Sequence, residues 1–211
     1  FFDHPAVPPF LLCKANKERI GVLQCTEKTM EIKFGDLNEI SFTTYLYTNN
    51  ERNPYYDSVD LMKYILLPEN GFFAITSVNI ESEDTEFECK RVTAKSSECL
   101  LAQKYLEEFT VNMGTVESVD GVQLYNLRDH SRSLLHLVLE KCPDWQIGHM
   151  DPALMTMQRS FETSRQDIYS FLNSEIATAF ECAFQFDTLN NLIHVYKQDQ
   201  MGKNTDIHVS Y

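Results

Sequence analysis

The sequence predicts an α+β chain. Residues 1–112 read as an N-terminal antiparallel β-barrel or sandwich, and 113–211 as a smaller α/β domain with two helices packed on a short sheet. Three observations point there. Alternating apolar runs separated by turn chemistry fill the first half, the pattern of short antiparallel strands. Two helix-period patterns stand among strand-like runs in the second half. Between them "NMGTVESVDG" (112–121) is small and polar with two glycines, and marks the boundary.

In the first half, "RIGVLQ" (19–24) is short and apolar, and "TMEIKFG" (29–35) places Met30, Ile32 and Phe34 on one face. "EISFTTYLY" (39–47) turns Ile40, Phe42, Thr44 and Leu46 inward and Tyr45 and Tyr47 outward. "GFFAITSVNI" (71–80) and "EFECKRVTA" (86–94) continue the period-2 signal. Gly35-Asp36, Asn49-Asn50, Asn53-Pro54 and Pro68-Glu69-Asn70-Gly71 supply the turns between them.

In the second half, "SLLHLVLEK" (133–141) is an amphipathic helix with Asp129 or Ser131 as its cap. Leu134, Leu135, Val138 and Leu139 share one side, His136 lies opposite, and Pro143 stops the helix just after Cys142. "WQIGH" (145–149) then reads as a strand with Trp145 and Ile147 on one face. A second helix over 164–181 opens with Ser164 as N-cap and Asp167 at N3. Ile168, Phe171, Leu172, Ile176, Ala179 and Phe180 form its single apolar stripe. "CAFQFD" and "LIHVYK" flank Thr188-Leu189-Asn190-Asn191 as a β-hairpin. "DIHVSY" (206–211) is a further strand, and a chain stopping there predicts that the natural protein continues.

Composition narrows the function classes. Apolar residues make up 43% and charged residues 23%, the proportions of an ordinary globular protein. The formal net charge of -13, with no basic cluster to offset it, excludes nucleic-acid readout, which draws its affinity from Lys and Arg. No stretch approaches the roughly 20 apolar residues of a membrane span. "FFDHPAVPPFLLCK" at the start has no basic region and carries prolines in its apolar part, so it makes a poor signal peptide. The six cysteines form no C-x-x-C pair and several sit in apolar strand patterns, which predicts buried thiols of a reducing compartment.

The stretch from Ser133 to Pro152 gathers His136, Cys142, Asp144, His149 and Asp151, and invites a catalytic or metal reading. The physics argues against both. A Cys–His nucleophile needs its groups within hydrogen-bond reach, whereas Cys142 ends a helix, where the dipole disfavours thiolate, and His149 lies further along a strand. His136, His149, His194 and His208 stand singly, with no H-x-x-x-H or H-E-x-x-H spacing, so no metal site is expected. Asp129-His130-Ser131 resembles a triad only in letters, since adjacent side chains cannot converge as a triad must. G-x-S-x-G, P-loop and G-x-G-x-x-G patterns are absent, and Glu81, Glu83 and Asp84 read as a solvated turn. No catalytic, cofactor-binding or metal-ligating residue is therefore expected, and no cofactor.

One ordered set of motifs is specific in another way. "RIGVLQ", "EISFTTYL", "NPYYD" (53–57), "GFFAITS", "KRVTAKSSE" (90–98), the helix "SLLHLVLEKCPDW", the strand "QIGHMDP", "RSFE", "DIYSFL" and the hairpin "FDTLNNLIHVY" follow one another along nearly the whole chain. This order resembles the N-terminal hub region of phage and prophage tail-tip proteins, the tail-associated or endopeptidase-tail family. The resemblance implies a tail-tube-like β domain with an inserted α/β domain, assembled as a homotrimer that closes the tail tube. It implies distal tail and tape-measure proteins as partners, a virion tail location, and C-terminal host-recognition or lytic modules. Its transfers to single residues are structural. Trp145 and Gly148 fit the W-x-(I/V)-G strand and Asp151 the acidic residue opening the next turn. Asn190 and Asn191 fit the hairpin turn, and Asn53 and Pro54 the loop leaving the first strand group. Within this resemblance the net charge gains a use, because an acidic lumen lets DNA slide without being trapped. Two rival readings stand beside it. One is a cell-wall hydrolase using Cys142, the other a module binding host-surface carbohydrate through exposed Tyr and Phe.

Overall fold

The computed structural model describes residues 8–33, 35–82, 87–111, 127, 133–159 and 161–198. Phe34, Glu83, Asp84, the stretch 112–121, the expected caps Asp129 and Ser131, His130 and the expected strand 206–211 lie outside the described residues. The chain divides into two compact units, Phe1–Cys99 and Leu100–Tyr211.

The first unit is a curled antiparallel sheet. Its strands are β1 (Leu11–Cys13), β2 (Arg19–Val22), β3 (Thr26–Glu31) and β4 (Glu39–Tyr45), then a small ribbon of β5 (Tyr47–Thr48) and β6 (Glu51–Arg52). A 3₁₀ turn (Tyr56–Ser58) leads to β7 (Tyr64–Leu67), β8 (Gly71–Ser82) and β9 (Glu88–Ser96). The seven-stranded order is β2-β1-β7-β8-β9-β4-β3, with every neighbouring pair antiparallel. Following that alternation across the sheet, the edge strands β2 and β3 run in the same direction. Only Leu23, Gln24 and Cys25 separate them in sequence.

A flat sheet of this width would hold its edges about 29 Å apart, yet the four steps from Val22 to Thr26 span at most about 14 Å. The sheet must curl. Leu23 donates its N–H to Phe10 O at 2.8 Å beside β1. Gln24 O accepts the Thr44 hydroxyl of β4 at 2.8 Å. The crossover is thus tied to both sides of the sheet. Phe10 and Phe42 meet edge to face at 5.5 Å inside the curl, within a core of Leu12, Ile40, Ile65, Leu67, Phe73, Val92 and Ala94.

In β4 the expected inward residues Ile40, Phe42 and Thr44 are buried and Tyr45 is exposed, but Thr43, on the opposite phase, is buried as well. The expected alternation fails at Ile32, which is 68% exposed. The β3–β4 register shifts between Thr26 and Thr29, with Glu27 in the left-handed region at φ 48°, and pairing ends at Glu31 opposite Glu39. Ile32 has left the ladder before its side could be decided. The strands β1 and β7 go beyond the sequence reading, since neither short apolar run alternates.

The first unit closes on the buried Glu98, in the 3₁₀ turn Ser97–Gln103. Its Oε1 accepts the Ser96 hydroxyl at 2.6 Å, while Oε2 and the neighbouring Ser97 Oγ have no partner among the described residues. Burial pushes the carboxyl above its ordinary range. A raised folded value means that this group's stability contribution is complete below the ordinary glutamate range and is lost as pH climbs through the raised value. Glu98→Gln is therefore expected to stabilise the chain by about 1 kcal/mol at pH 7.5, the gain vanishing near pH 4. Urea midpoints of both proteins at the two pH values test this, and an equal offset at both would contradict it.

The second unit begins before the boundary expected at 112. Its β10 (Tyr105–Leu106) and β11 (Phe109–Val111) pair with the later strands β14 (Gln166–Asp167) and β13 (Phe161–Thr163) respectively. Helix α1 (Leu134–Lys141), strand β12 (Gln146–Met150) and the short α2 (Pro152–Met155) lie between those pairs in sequence. Ser133 occupies the N-cap position of α1.

After β14 comes one continuous helical run: α3 (Ile168–Ser170), a π-helical stretch (Phe171–Ile176) and α4 (Ala177–Phe180). Asp167, not Ser164, caps it, taking Ser170 N–H at 2.9 Å and the Ser170 hydroxyl at 2.7 Å. Gln166 and Asp167 are held in strand pairing, so no helix can start at 164. Ile168, Leu172, Ile176 and Phe180 recur every four residues and are all fully buried. A four-residue repeat drifts about 40° per step on a 3.6-residue helix, and the wider π stretch takes up that drift. The run ends at Glu181 in the left-handed region, and β15 (Cys182–Asp187) and β16 (Leu192–Lys197) form the expected hairpin.

Candidate functional site

The motif residues of the second half converge on the sheet β12-β16-β15, in which β12 runs parallel to β16. Trp145, just ahead of β12, is buried against Phe186, ring edge to face at 5.8 Å. Gln146 N–H donates to Asn191 O at 2.9 Å, docking the start of β12 on the hairpin turn. In that turn Asp187 accepts the backbone N–H groups of Leu189 and Asn190 and, at 2.7 Å, the Asn190 side chain. Asn191 sits in the left-handed region at φ 53°. These bonds, the Asn190 side chain foremost, hold the Asp187 carboxyl below its usual range.

At the other end of β12, Asp151 Oδ2 accepts Lys197 N–H at 2.7 Å and its own N–H donates to Val195 O at 3.1 Å. Asp151 Oδ1 lies 3.0 Å from His149 Nε2. The Lys197 amide first, with His149 adding, lowers the Asp151 carboxyl. A lowered folded value places that stabilisation above the ordinary aspartate range, and it is lost as pH falls through the folded value. Asp151→Asn is expected to cost about 1–2 kcal/mol at pH 7, by weakening charge-assisted bonds. The difference from the wild type should shrink below about pH 4. Paired thermal melts at pH 7 and pH 3 measure it, and a pH-independent difference would assign the loss to packing alone.

Gly148 lies under an imidazole. A Cβ built there would stand 2.6 Å from His194 Cε1. His194 Nδ1 accepts His149 N–H at 2.9 Å, and the His149 ring stacks on Tyr196 at 5.1 Å. This group was invisible as a motif, because parallel pairing across 45 residues creates it. Among the described residues no group of three His, Cys, Asp or Glu side chains is placed to hold a metal.

The other reactive-looking residues are not brought together. Cys142 is buried in the core with Trp145 and Met150, and burial pushes its thiol up. His136 is exposed on α1, 3.6 Å from Glu140. Burial likewise raises Cys99 to about 11 and Cys182 to about 12. None of the six cysteines, all among the described residues, forms a disulfide.

Asn53 and Pro54 belong to the first unit. Pro54 is exposed in a turn, but Asn53 is buried and has a larger part than turn formation. Its side-chain N–H groups reach Thr44 Oγ1 at 3.0 Å, Tyr45 O at 3.2 Å and Gln24 O at 3.3 Å, and its Oδ1 accepts Tyr55 N–H at 3.1 Å. One amide thereby fastens the "NPYYD" loop to β4 and to the crossover that curls the sheet. Beside it the buried Lys90 donates to Tyr56 O at 2.9 Å and Val59 O at 2.8 Å, and its Nζ stands 4.6 Å from the Tyr56 ring centroid. No helix among the described residues is long and apolar enough to cross a membrane.

No known family's sequence profile matches the chain. A solved structure is that of the E. coli c3393 protein, a component of the type VI secretion system with structural similarity to T4 bacteriophage tail proteins gp27 and gp5. It aligns at TM-score 0.43 and 12% identity, over 83% of this chain and 48% of that one. The SPbeta prophage-derived uncharacterized protein YomG of Bacillus subtilis (strain 168) is 26% identical over 210 residues. That alignment covers 94% of this chain and 21% of the prophage protein, so the chain spans about a fifth of that relative's length.

Proposed function

We propose that this chain is a structural part of a phage or prophage tail, at the tip or baseplate hub, with no catalysis of its own. In this reading it forms a homotrimeric ring that closes the tail tube and contacts distal tail and tape-measure proteins. The longer protein then carries host-recognition or lytic modules. The observation that carries the reading is the alignment of 94% of the chain with a prophage-derived protein nearly five times as long. The ordered motifs support it. So does their use: Trp145, Gly148, Asp151, Asn190 and Asn191 assemble one hairpin-and-strand unit and Asn53 fastens the curl, which is architecture in each case. The buried thiol of Cys142 counts against a hydrolase using it as nucleophile. The net charge of -13 suits a lumen through which DNA slides.

Immunogold electron microscopy of phage particles from the host strain, with antibody raised to this chain, tests the assignment. Label at the distal tail tip is the expected result. Intact unlabelled tails with free antigen in the lysate would overturn it, and would turn attention to saturable binding of wall polysaccharide.

A further inference from the structure

The open face of the β12-β16-β15 sheet carries a polar arrangement that the tail reading does not use. The hairpin register sets Gln185 opposite His194 and Ala183 opposite Tyr196. Asp187, two residues beyond Gln185, shares that face and lies diagonally across from His194. The β12–β16 ladder is irregular between Ile147 and Met150, and there the His149 N–H donates to a side chain, His194 Nδ1, at 2.9 Å. That bond needs the Nδ1 lone pair, so the proton of the neutral ring sits on Nε2. The ring has room only because residue 148 is glycine.

We propose that His194 is an acid-released latch on the edge strand β12. When neutral it accepts the His149 amide and holds the bulge; when protonated at Nδ1 it gives up that amide and turns toward the Asp187 carboxylate across the hairpin. The proton comes from solvent, and imidazole is the side chain whose ordinary chemistry allows that exchange near neutral pH. Among the described residues few ionisable groups face it. Strand β12 offers His149 and Asp151, β15 offers Asp187, and β16 itself offers Tyr196. The short α2, also packed on β16, carries only Pro152, Ala153, Leu154 and Met155. The His149 ring is tied elsewhere, its Nε2 lying 3.0 Å from Asp151 Oδ1. A proton on His194 Nδ1 instead confronts the His149 N–H, donor against donor, and Asp187 is the carboxylate diagonally across the hairpin. Release stays local, because Gln146 remains bonded to Asn191 and Asp151 to Val195 and Lys197. The edge at Gly148–His149 opens while β12 keeps both its ends. This inference is independent of the tail assignment.

Amide hydrogen exchange of His149 in the full chain, read by NMR at pH 7.5 and pH 5.0 and corrected for intrinsic rates, tests the latch. Protection should fall about tenfold on acidification, the loss of one hydrogen bond. His194→Asn should keep protection at both pH values, since its amide oxygen stands in for Nδ1 and takes no proton. Equal wild-type protection at both pH values would overturn the proposal, as would the same loss in the asparagine variant. Should that variant not fold, the ¹⁵N shifts of the wild-type His194 ring decide. Nδ1 is expected to gain its proton over the interval in which the amide opens, and an amide that opens while Nδ1 stays bare refutes the latch. Asp187→Asn should move release to lower pH, and unchanged release would remove Asp187 from the mechanism.

Discussion

Replacing Lys90 with methionine should lower the stability of the chain by about 3 kcal/mol, a large share of the roughly 5–15 kcal/mol typical of a folded domain. Methionine keeps the apolar stem that lies in the core but has no N–H. Tyr56 O and Val59 O then lose charge-assisted donors, each worth about 1.5–3 kcal/mol, and both residues are buried. Relief from burying a charge offsets part of that loss. The Tyr56 ring loses its cation at the same time, while its hydroxyl remains bonded to Glu88 at 2.9 Å. The matched control is Lys95→Met, five residues along the same strand. Lys95 is 3.9 Å from Glu39, with side chains 42% and 34% exposed, so its loss should stay within about 0.5 kcal/mol. Urea denaturation of the three proteins decides. Equal effects at Lys90 and Lys95 would mean that the buried contacts contribute nothing beyond surface charge.

That contrast also shows what a one-dimensional pattern can and cannot carry. Lys90 is buried in phase with Val92 and Ala94, yet its neighbour Cys89 is buried too, so the local pattern did not single out the lysine. Its acceptors were not legible either, because they lie more than thirty residues back in a loop that reads only as turn chemistry. Asn53 repeats the lesson: Asn-Pro announces a turn, and nothing local announces that the same amide spans the crossover and β4. The hairpin of β15 and β16 and the stripe from Ile168 to Phe180 were readable, since both depend on neighbours in sequence. The parallel pairing of β12 with β16 depends on residues some 45 positions apart, so the meeting of His149, Asp151 and His194 had no local signal. The curl itself required the strand order, which no single strand encodes.

Trp145→Ala should cost about 3–5 kcal/mol, as expected for emptying a buried tryptophan site. Trp145 is only 9% exposed and meets Phe186 edge to face at 87°. Its backbone N–H donates to Cys142 O at 3.0 Å in the tight turn after α1, which fixes the residue at the corner where helix becomes strand. Truncation removes the wall against which Phe186 rests, and the surrounding backbone can relax only partly, which leaves cavity cost on top of lost burial. Trp145→Phe keeps an aromatic partner for Phe186 and should lose only about 1–2 kcal/mol. The protein's one tryptophan is also the natural reporter, so wild-type unfolding can be followed by its fluorescence and the variants by circular dichroism. Amide exchange adds a spatial criterion. Raised exchange after Trp145→Ala should fall on the unit Leu100–Tyr211, whose core holds Trp145, and leave the amides of β4 and β9 unchanged. A loss below about 1 kcal/mol would show that the corner collapses around alanine. Trp145 would then carry little of the energy that holds this corner.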